Sequence, residues 1–459
     1  MISAIKFSVL AQQFGGVVYH DDVSFLSVSI NTREIVAGDV FVAIKGECFD
    51  GRDFIADAQA KGAKALVVES EVIGCNLSQW VVEDTTKALG HIAQAQRGHF
   101  TGQLVAITGS SGKTTVKGML ESILRAEVAG DVFATKGNLN NHIGVPLSVL
   151  SLREEHRYAV IEMGASAVGE IDYLTRMASP HVALINNVMS AHVEGFGSID
   201  NIAKGKGEIY DGLSAHGVAI INKADKYSPQ WLVQNSHRKV ITFSAEEKIL
   251  ADVTASVIQS QKNGCAKFNL QLLSKIMPIS LSVLGLHNVA NALAAASCAE
   301  AMGISHRSII DGLESFYGVA GRLQCLPAIN GSTVIDDSYN ANPMAFCAAI
   351  DVLSAMTNTT VLVMGDMAEL GDESDAAHQQ VGEYATLKNI NCLLSIGEKS
   401  QKASLAFTNN KQHFNSIDQL VAVAVQKANS DTVFLIKGSR SARMDRVVEA
   451  LTSRGASSC

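Results

Sequence analysis

The sequence predicts an α/β protein of about three domains built on mainly parallel sheets. Three observations lead there. At 459 residues the chain is long enough for three domains of roughly 100–200 residues each. Short β-branched runs repeatedly end in glycine-rich loops and give way to alanine-rich stretches with helical spacing. Hydrophobic residues make up 47% and charged residues 18%, so several cores can form without disulfides or metal clips.

Composition also removes function classes. A formal net charge of −8 is the opposite of the basic excess expected of a nucleic-acid binder, so no nucleic-acid partner is expected. The eight cysteines (Cys48, Cys75, Cys265, Cys298, Cys325, Cys347, Cys392 and Cys459) form no CxxC pair and read as thiols of a reducing cytoplasm. Met1–Gly15 lacks the cleavage site of a secretory signal. No apolar run approaches the ~20 residues of a membrane span. The expectation is a cytoplasmic protein without a membrane span.

The elements follow in order. A first block, 1–102, holds strands at Val40–Ile44 and Ala65–Val68. A second, 103–320, opens on the strand Leu104–Thr108. It continues through strands at Tyr158–Met163, Val182–Asn186 and Val218–Asn222, and then the alanine-rich helix Asn288–Met302. A third, 321–459, begins at Gly321-Arg322, with strands at Val334–Asp336, Val361–Met364, Cys392–Ile396 and Val433–Ile436.

The segment after Thr108 carries the clearest chemistry. Gly109, Ser110, Ser111, Gly112, Lys113, Thr114 and Thr115 follow a buried strand; Val116, Met119, Leu120, Ile123 and Leu124 then recur at helical spacing. Strand, glycine loop and helix are the context of a phosphate loop. Backbone N–H groups curl around phosphate oxygens, and the helix N-terminus adds partial positive charge. Lys113 would reach the β- and γ-phosphates of ATP, and Thr114 would hold Mg²⁺. The longer GxxxxGK[ST] spacing needs Gly where Ile107 stands, so this is the shorter TGxxGKT form.

Other candidates are less specific singly. Asn222-Lys223-Ala224-Asp225 looks like the NKxD guanine reader of GTPases, but no aspartate starts a DxxG segment, so a polar strand-end loop is the preferred reading. Glu162 ends a strand where parallel sheets bind ligands, and a carboxylate there suits Mg²⁺. His192 follows a strand by a few residues; Lys206 lies in Lys204-Gly205-Lys206-Gly207-Glu208, a candidate helix start, and alone reads as a surface lysine. Asp336-Asp337 either meets a ribose or Mg²⁺ or simply caps its strand, with Pro343 opening the next helix. Lys437-Gly438-Ser439-Arg440 suits a carboxylate or phosphate partner.

Together these segments resemble the Mur ligase family over nearly the whole chain. The resemblance rests on Thr32-Arg33 with Phe41–Gly46, Thr108–Thr115, Gly137–Pro146, Glu162–Gly164, Ala191–Gly197, Lys206–Ile209, Gly285–Ala292, Asp337–Pro343, Met364–Gly371 and Lys437–Arg440. It implies a small N-terminal α/β domain for a UDP-sugar, a central P-loop ATPase-like domain, and a C-terminal Rossmann-like domain that binds the incoming substrate and closes on ATP. It implies that ATP phosphorylates the carboxylate of UDP-N-acetylmuramoyl-tripeptide and that D-alanyl-D-alanine attacks the acyl-phosphate. The Met364–Gly371 and Lys437–Arg440 segments point to this dipeptide-adding branch, and the DNPR segment of the diaminopimelate-adding relative is absent.

By the same resemblance, Glu162 and His192 look like ligands of a second Mg²⁺, and Lys206 looks like the family's carbamoylated lysine supporting that metal. Asn288 and Asn291 look like adenine-side contacts, and Arg322 and Asp337 like ribose and γ-phosphate contacts. Thr32, Arg33, Lys45, Gly46, Asn138, Asn141 and His142 resemble the UDP-side contacts. Lys437, Ser439 and Arg440 fall to the incoming dipeptide. The enzyme is expected to act as a monomer. Asn31, Arg52 and the pair Ser166-Ala167 depart from the family pattern, at positions bearing on the UDP and tripeptide contacts.

Overall fold

Gln103–Thr108 is apolar except at its ends, and every residue after Gln103 is buried, as a strand covered on both faces requires. In the computed structural model, which describes residues 1–46, 49–128, 130–189, 193–261 and 264–452, this strand lies inside a nine-stranded sheet. On one side it pairs with Tyr158–Glu162, which pairs with Val132–Ala134 at the edge. On the other side come Val182–Ile185, Val218–Asn222, Lys239–Ser244 and Val253–Ser260, all parallel. The chain therefore winds from Gln103–Thr108 first to one edge and then to the other. That reversal opens a crevice at the C-terminal strand ends, where such sheets bind ligands.

The sheet does not stop there. Cys265–Leu272 and Lys275–Leu284 extend it antiparallel. Their buried and exposed residues largely alternate, the mark of a sheet with one solvated face. The expectation of mainly parallel strands holds for the rest and missed this extension, whose polar alternation lacks the apolar runs that announced the others.

Lys113–Glu127, His287–Ala301 and His306–Glu314 pack on this sheet. The first and third approach so closely that a Cβ on Gly312 would lie 2.3 Å from the Ile123 Cα, so only glycine fits.

The N-terminal part has Val28–Ser29, Val40–Val42, Ala65–Val68 and Ser78–Val81 in parallel, with Val17–Tyr19 antiparallel at the edge. The C-terminal part has Thr333–Asp337, Thr432–Lys437, Thr359–Met364, Cys392–Ile396 and Asn410–Phe414 in parallel, with Gln324–Pro327 antiparallel at its edge.

The two outer parts are attached differently. One apolar cluster runs without a break from Phe7, Trp80, Leu89 and Ile92 to Ile171, Leu174, Ile209 and Trp231. Arg97 pins the same junction, donating to the carbonyls of Ala178 (2.6 Å) and Ser179 (2.8 Å). The C-terminal sheet has cores of its own, and one of them takes in only Cys265 and Leu284 from the central part. Among the described residues, no helix is long and apolar enough to cross a membrane.

Candidate active site

The turn from Thr108 into Lys113–Glu127 is made by Gly109 and Gly112. Gly112 has φ +77°, and a Cβ there would lie 2.5 Å from both Asn186 Nδ2 and Asn291 Oδ1. Glycine is required on both counts. The helix that follows has no side-chain cap, so its first N–H groups and the positive end of its dipole face the loop. Lys113 folds back, donating from Nζ to the Gly109 carbonyl at 2.7 Å.

Asparagines brace the loop. Ser110 N–H donates to the Asn187 carbonyl and Ser111 N–H to Asn187 Oδ1, both at 2.9 Å. Asn186 Nδ2 donates to the Ser111 carbonyl (2.9 Å) and to Asn291 Oδ1 (3.0 Å). Asn291 Nδ2 donates to Asn288 Oδ1 (2.7 Å), and Asn288 Nδ2 to the Leu284 carbonyl (2.7 Å). The residues expected beside adenine are thus buried and bonded to one another in a ladder that ends on the phosphate loop. The Asn222–Asp225 segment serves the same brace. Asn222 Nδ2 donates to the Asn186 carbonyl (2.9 Å), and Asp225 accepts from Val188 N–H (2.7 Å) and Tyr227 N–H (2.9 Å). It is a strand-end clamp.

Beside the loop stands Glu162, at the end of the neighbouring strand and 2% exposed. Asn140 Nδ2 donates to its Oε1 at 2.9 Å, and Lys117 Nζ lies 3.4 Å from Oε2. Burial alone would push its carboxyl up. The Lys113 and Lys117 cations, with hydrogen bonds from Asn140 and Thr114, more than offset this and hold it below the usual glutamate range. Oε2 is fully buried and, the Lys117 ion pair aside, has no hydrogen-bond partner. Thr114 and Glu162, expected together on chemical grounds, do meet.

Lys206 is buried, 2% exposed, and not on the surface. It also sits near the end of its helix, not at a start. Ile199–Gly207 is capped by Ser198, whose Oγ accepts from Asn201 N–H (3.2 Å). Gly205 and Gly207, expected at a helix start, are inside the last turn. Burial and the nearby Lys113 cation together hold the Lys206 ammonium well below the ordinary lysine value. His192 lies outside the described residues.

Burial lowers the Lys113 pKa, Glu162 opposes that, and the charge of Arg322, from the C-terminal part, adds to the lowering. Asp337 is buried, accepting from Lys437 Nζ at 2.5 Å and from Leu323 N–H at 3.2 Å. Lys437, expected on the dipeptide, is itself 2% exposed and spends its ammonium on Asp337 and the Asn340 carbonyl (2.9 Å). Ser439 and Arg440 instead line a cleft of about 700 Å³ with Asn340, Glu369, Arg443 and Asp445. Glu369 and Arg443 both hold left-handed backbone, φ +61° and +51°. The Glu369 loop is tied down by His378, whose Nε2 accepts from Met367 N–H at 2.9 Å.

The remaining expected residues lie at the strand ends of the N-terminal sheet and on the loop before Gly144. Thr32 is buried, its carbonyl accepting from Lys61 Nζ (3.0 Å); Arg33, Lys45 and Gly46 are exposed. Asn138, Asn141 and His142 are exposed too, and Asn141 Oδ1 accepts from Gly144 N–H at 2.8 Å. Lys117, Asn140, Asn186 and Asn187 were missed by sequence reasoning. Only Lys117 carried a signal: it follows Lys113 by one helical turn and shares its face.

Three family models match the chain: "Mur ligase family, catalytic domain" over residues 25–97, "Mur ligase middle domain" over 107–299, and "Mur ligase, glutamate ligase domain" over 321–440. The UDP-N-acetylmuramoyl-tripeptide–D-alanyl-D-alanine ligase of Escherichia coli K12 is 41% identical, over 99% of this chain and 100% of its own. That of Bacillus subtilis is 32% identical over 92% of each chain. The crystal structure of MurF from Acinetobacter baumannii superposes with a TM-score of 0.89 at 34% identity, covering 97% of this chain and 98% of that one. MurF ligase from Thermotoga maritima in complex with ADP gives 0.81 at 29% identity, covering 92% and 96%.

Proposed function

The chain belongs to the Mur ligase family, and from that premise we propose that it joins D-alanyl-D-alanine to UDP-N-acetylmuramoyl-tripeptide, using ATP. The observation that carries the reading is the buried charged centre at the strand ends of the central sheet, where Glu162 meets Lys117 at 3.4 Å and Asn140 at 2.9 Å beside the phosphate loop and its Lys113. A carboxylate is a poor electrophile. Its oxygen attacks the γ-phosphorus, ADP leaves, and an acyl-phosphate forms. The free amine of the dipeptide then adds to the acyl carbon, and phosphate departs from the tetrahedral intermediate as the amide forms. Lys113 and Arg322 offset the charge on the moving phosphoryl group.

Thr114 and Glu162 would hold Mg²⁺. Glu162 Oε2, buried and with no hydrogen bond beyond its ion pair with Lys117, fits a hard cation, which would offset polyphosphate charge there. A buried Lys206, held toward its neutral amine, also suits carbamoylation: its nitrogen adds to CO₂, loses a proton and becomes an anion. His192 would complete this set. The units 1–102, 103–320 and 321–459 take the UDP-sugar, ATP and dipeptide respectively, with Thr32, Arg33, Lys45, Gly46, Asn138, Asn141 and His142 on the first and Ser439 and Arg440 on the last. The enzyme acts as a cytoplasmic monomer.

Phosphate release with ATP, Mg²⁺, UDP-N-acetylmuramoyl-tripeptide and D-alanyl-D-alanine, omitting each in turn, tests the reading. Release that requires all four is expected. Release without the dipeptide, or with a single amino acid in its place, overturns it.

A further inference from the structure

We propose that Tyr339 is a positioning residue whose ring carries both Arg322 and Arg440, so that one aromatic ring sets the guanidinium on the phosphate-loop side and the guanidinium of the acceptor cleft. The Arg322 guanidinium lies over that ring, 4.2 Å from its centroid, and the Arg440 guanidinium lies over the same ring at 5.7 Å. The Arg322 guanidinium is near enough to the phosphate loop's Lys113 for its charge to be felt there, and Arg440 lines the cleft. No other ring in the described part of the chain carries two guanidinium groups. A planar cation over a π-face is attracted by the ring quadrupole, and the attraction fixes the cation's plane as well as its place.

The backbone that carries the ring is braced. Tyr339 N–H donates to the Gly321 carbonyl at 3.2 Å. Gly321 has φ +73°, and a Cβ there would crowd the Tyr339 Cβ at 3.1 Å, so glycine lets the two segments meet. On either side of Tyr339, Asp336 accepts from Ser338 N–H (3.0 Å) and the Asn340 carbonyl accepts from Lys437. Leu323 N–H is tied to Asp337, which fixes the backbone next to Arg322. The platform and the stem of Arg322 therefore belong to one braced unit.

This inference rests on the ligase reading for the identity of the two ligands, and its test separates the two. Phenylalanine and phenylalanines with one, two and three ring fluorines are placed at 339 in the full-length enzyme. The rings have nearly the same shape, but each fluorine makes the face less negative. ATP affinity is measured by calorimetry, and KM for D-alanyl-D-alanine by phosphate release. Tyr339→Phe is expected to stay within about twofold of the parent in both. Each fluorine then weakens both by about a further twofold, roughly eightfold in all, as a cation–π contact requires. A purely structural role would not follow fluorination. Values flat across the series overturn the proposal. Should the parent release phosphate without the dipeptide, the ligase reading falls, and the ATP affinities alone still decide the role of Tyr339 on the Arg322 side.

Discussion

Glu162 is a buried carboxylate with cations on two sides, and its burial is tolerable only because of them. The Lys117 and Glu162 side chains are 7% and 3% exposed. Removing one member of such a pair typically costs ~3–5 kcal/mol, because the other charge is left buried and uncompensated. Lys113 and Asn140 remain beside Glu162, so Lys117→Met is expected near the lower end, about 3 kcal/mol by urea denaturation. The double variant Lys117→Met, Glu162→Gln is expected to recover most of that loss. If it is as unstable as the sum of its parts, the pair is not what Lys117 serves. The residues of this centre were legible in the sequence only where a motif named them. The loop from Gly109 to Thr115 declared itself by context, and Glu162 by its strand end. Lys206 was named by the family resemblance alone, because burial of a lysine is a tertiary fact and its own neighbourhood of glycines and lysines reads as surface. Asn186 and Asn291 are 105 positions apart in sequence, and no local pattern could pair them.

At the scale of elements, strands buried on both faces were readable as apolar runs. Ala65–Val68, Val218–Asn222 and Cys392–Ile396 fall where the sequence put them. The three strands Val253–Ser260, Cys265–Leu272 and Lys275–Leu284 were not read, because polar residues interleave with their buried ones and leave no apolar run; bulges between Ser256 and Gln259 and between Cys265 and Lys267 add irregularity. The loop before the helix Ser374–Leu387 offers a pH test. His378 Nε2 must be unprotonated to accept from Met367 N–H, and burial holds its pKa below 6.5, although the Ser374 carbonyl, Asp366 and Asp375 pull the other way. The unfolded chain therefore takes up this proton first as pH falls below about 6.5, and the histidine's contribution to stability is lost on acidification. The melting temperature is expected to drop between pH 7 and pH 5.5, and to drop less steeply in His378→Gln. Equal slopes would show that other groups carry the acid sensitivity.

For the molecule as a whole, the difference between the two junctions sets what can move. The N-terminal part shares a continuous core with the central part, whereas the C-terminal part shares a small patch around Cys265 and Leu284. Closure on ATP should then be a swing of the C-terminal part alone. Small-angle scattering with ATP and UDP-tripeptide is expected to show a smaller radius of gyration. A cysteine pair joining the Thr85–Arg97 helix to the Glu170–Ala178 helix should leave turnover within about twofold, since that junction stays closed throughout. Loss of turnover in the cross-linked enzyme would move the hinge to the other side. The shared core has a further consequence for the chain as it leaves the ribosome. The first hundred residues contain a complete sheet, yet the cluster that seals it runs on to Trp231. At roughly 5–20 residues per second, the nascent N-terminal part must wait on the order of ten seconds with Trp80, Leu89 and Ile92 unsealed. During synthesis that half-finished face is where a chaperone would bind, and where crowding would first cost yield.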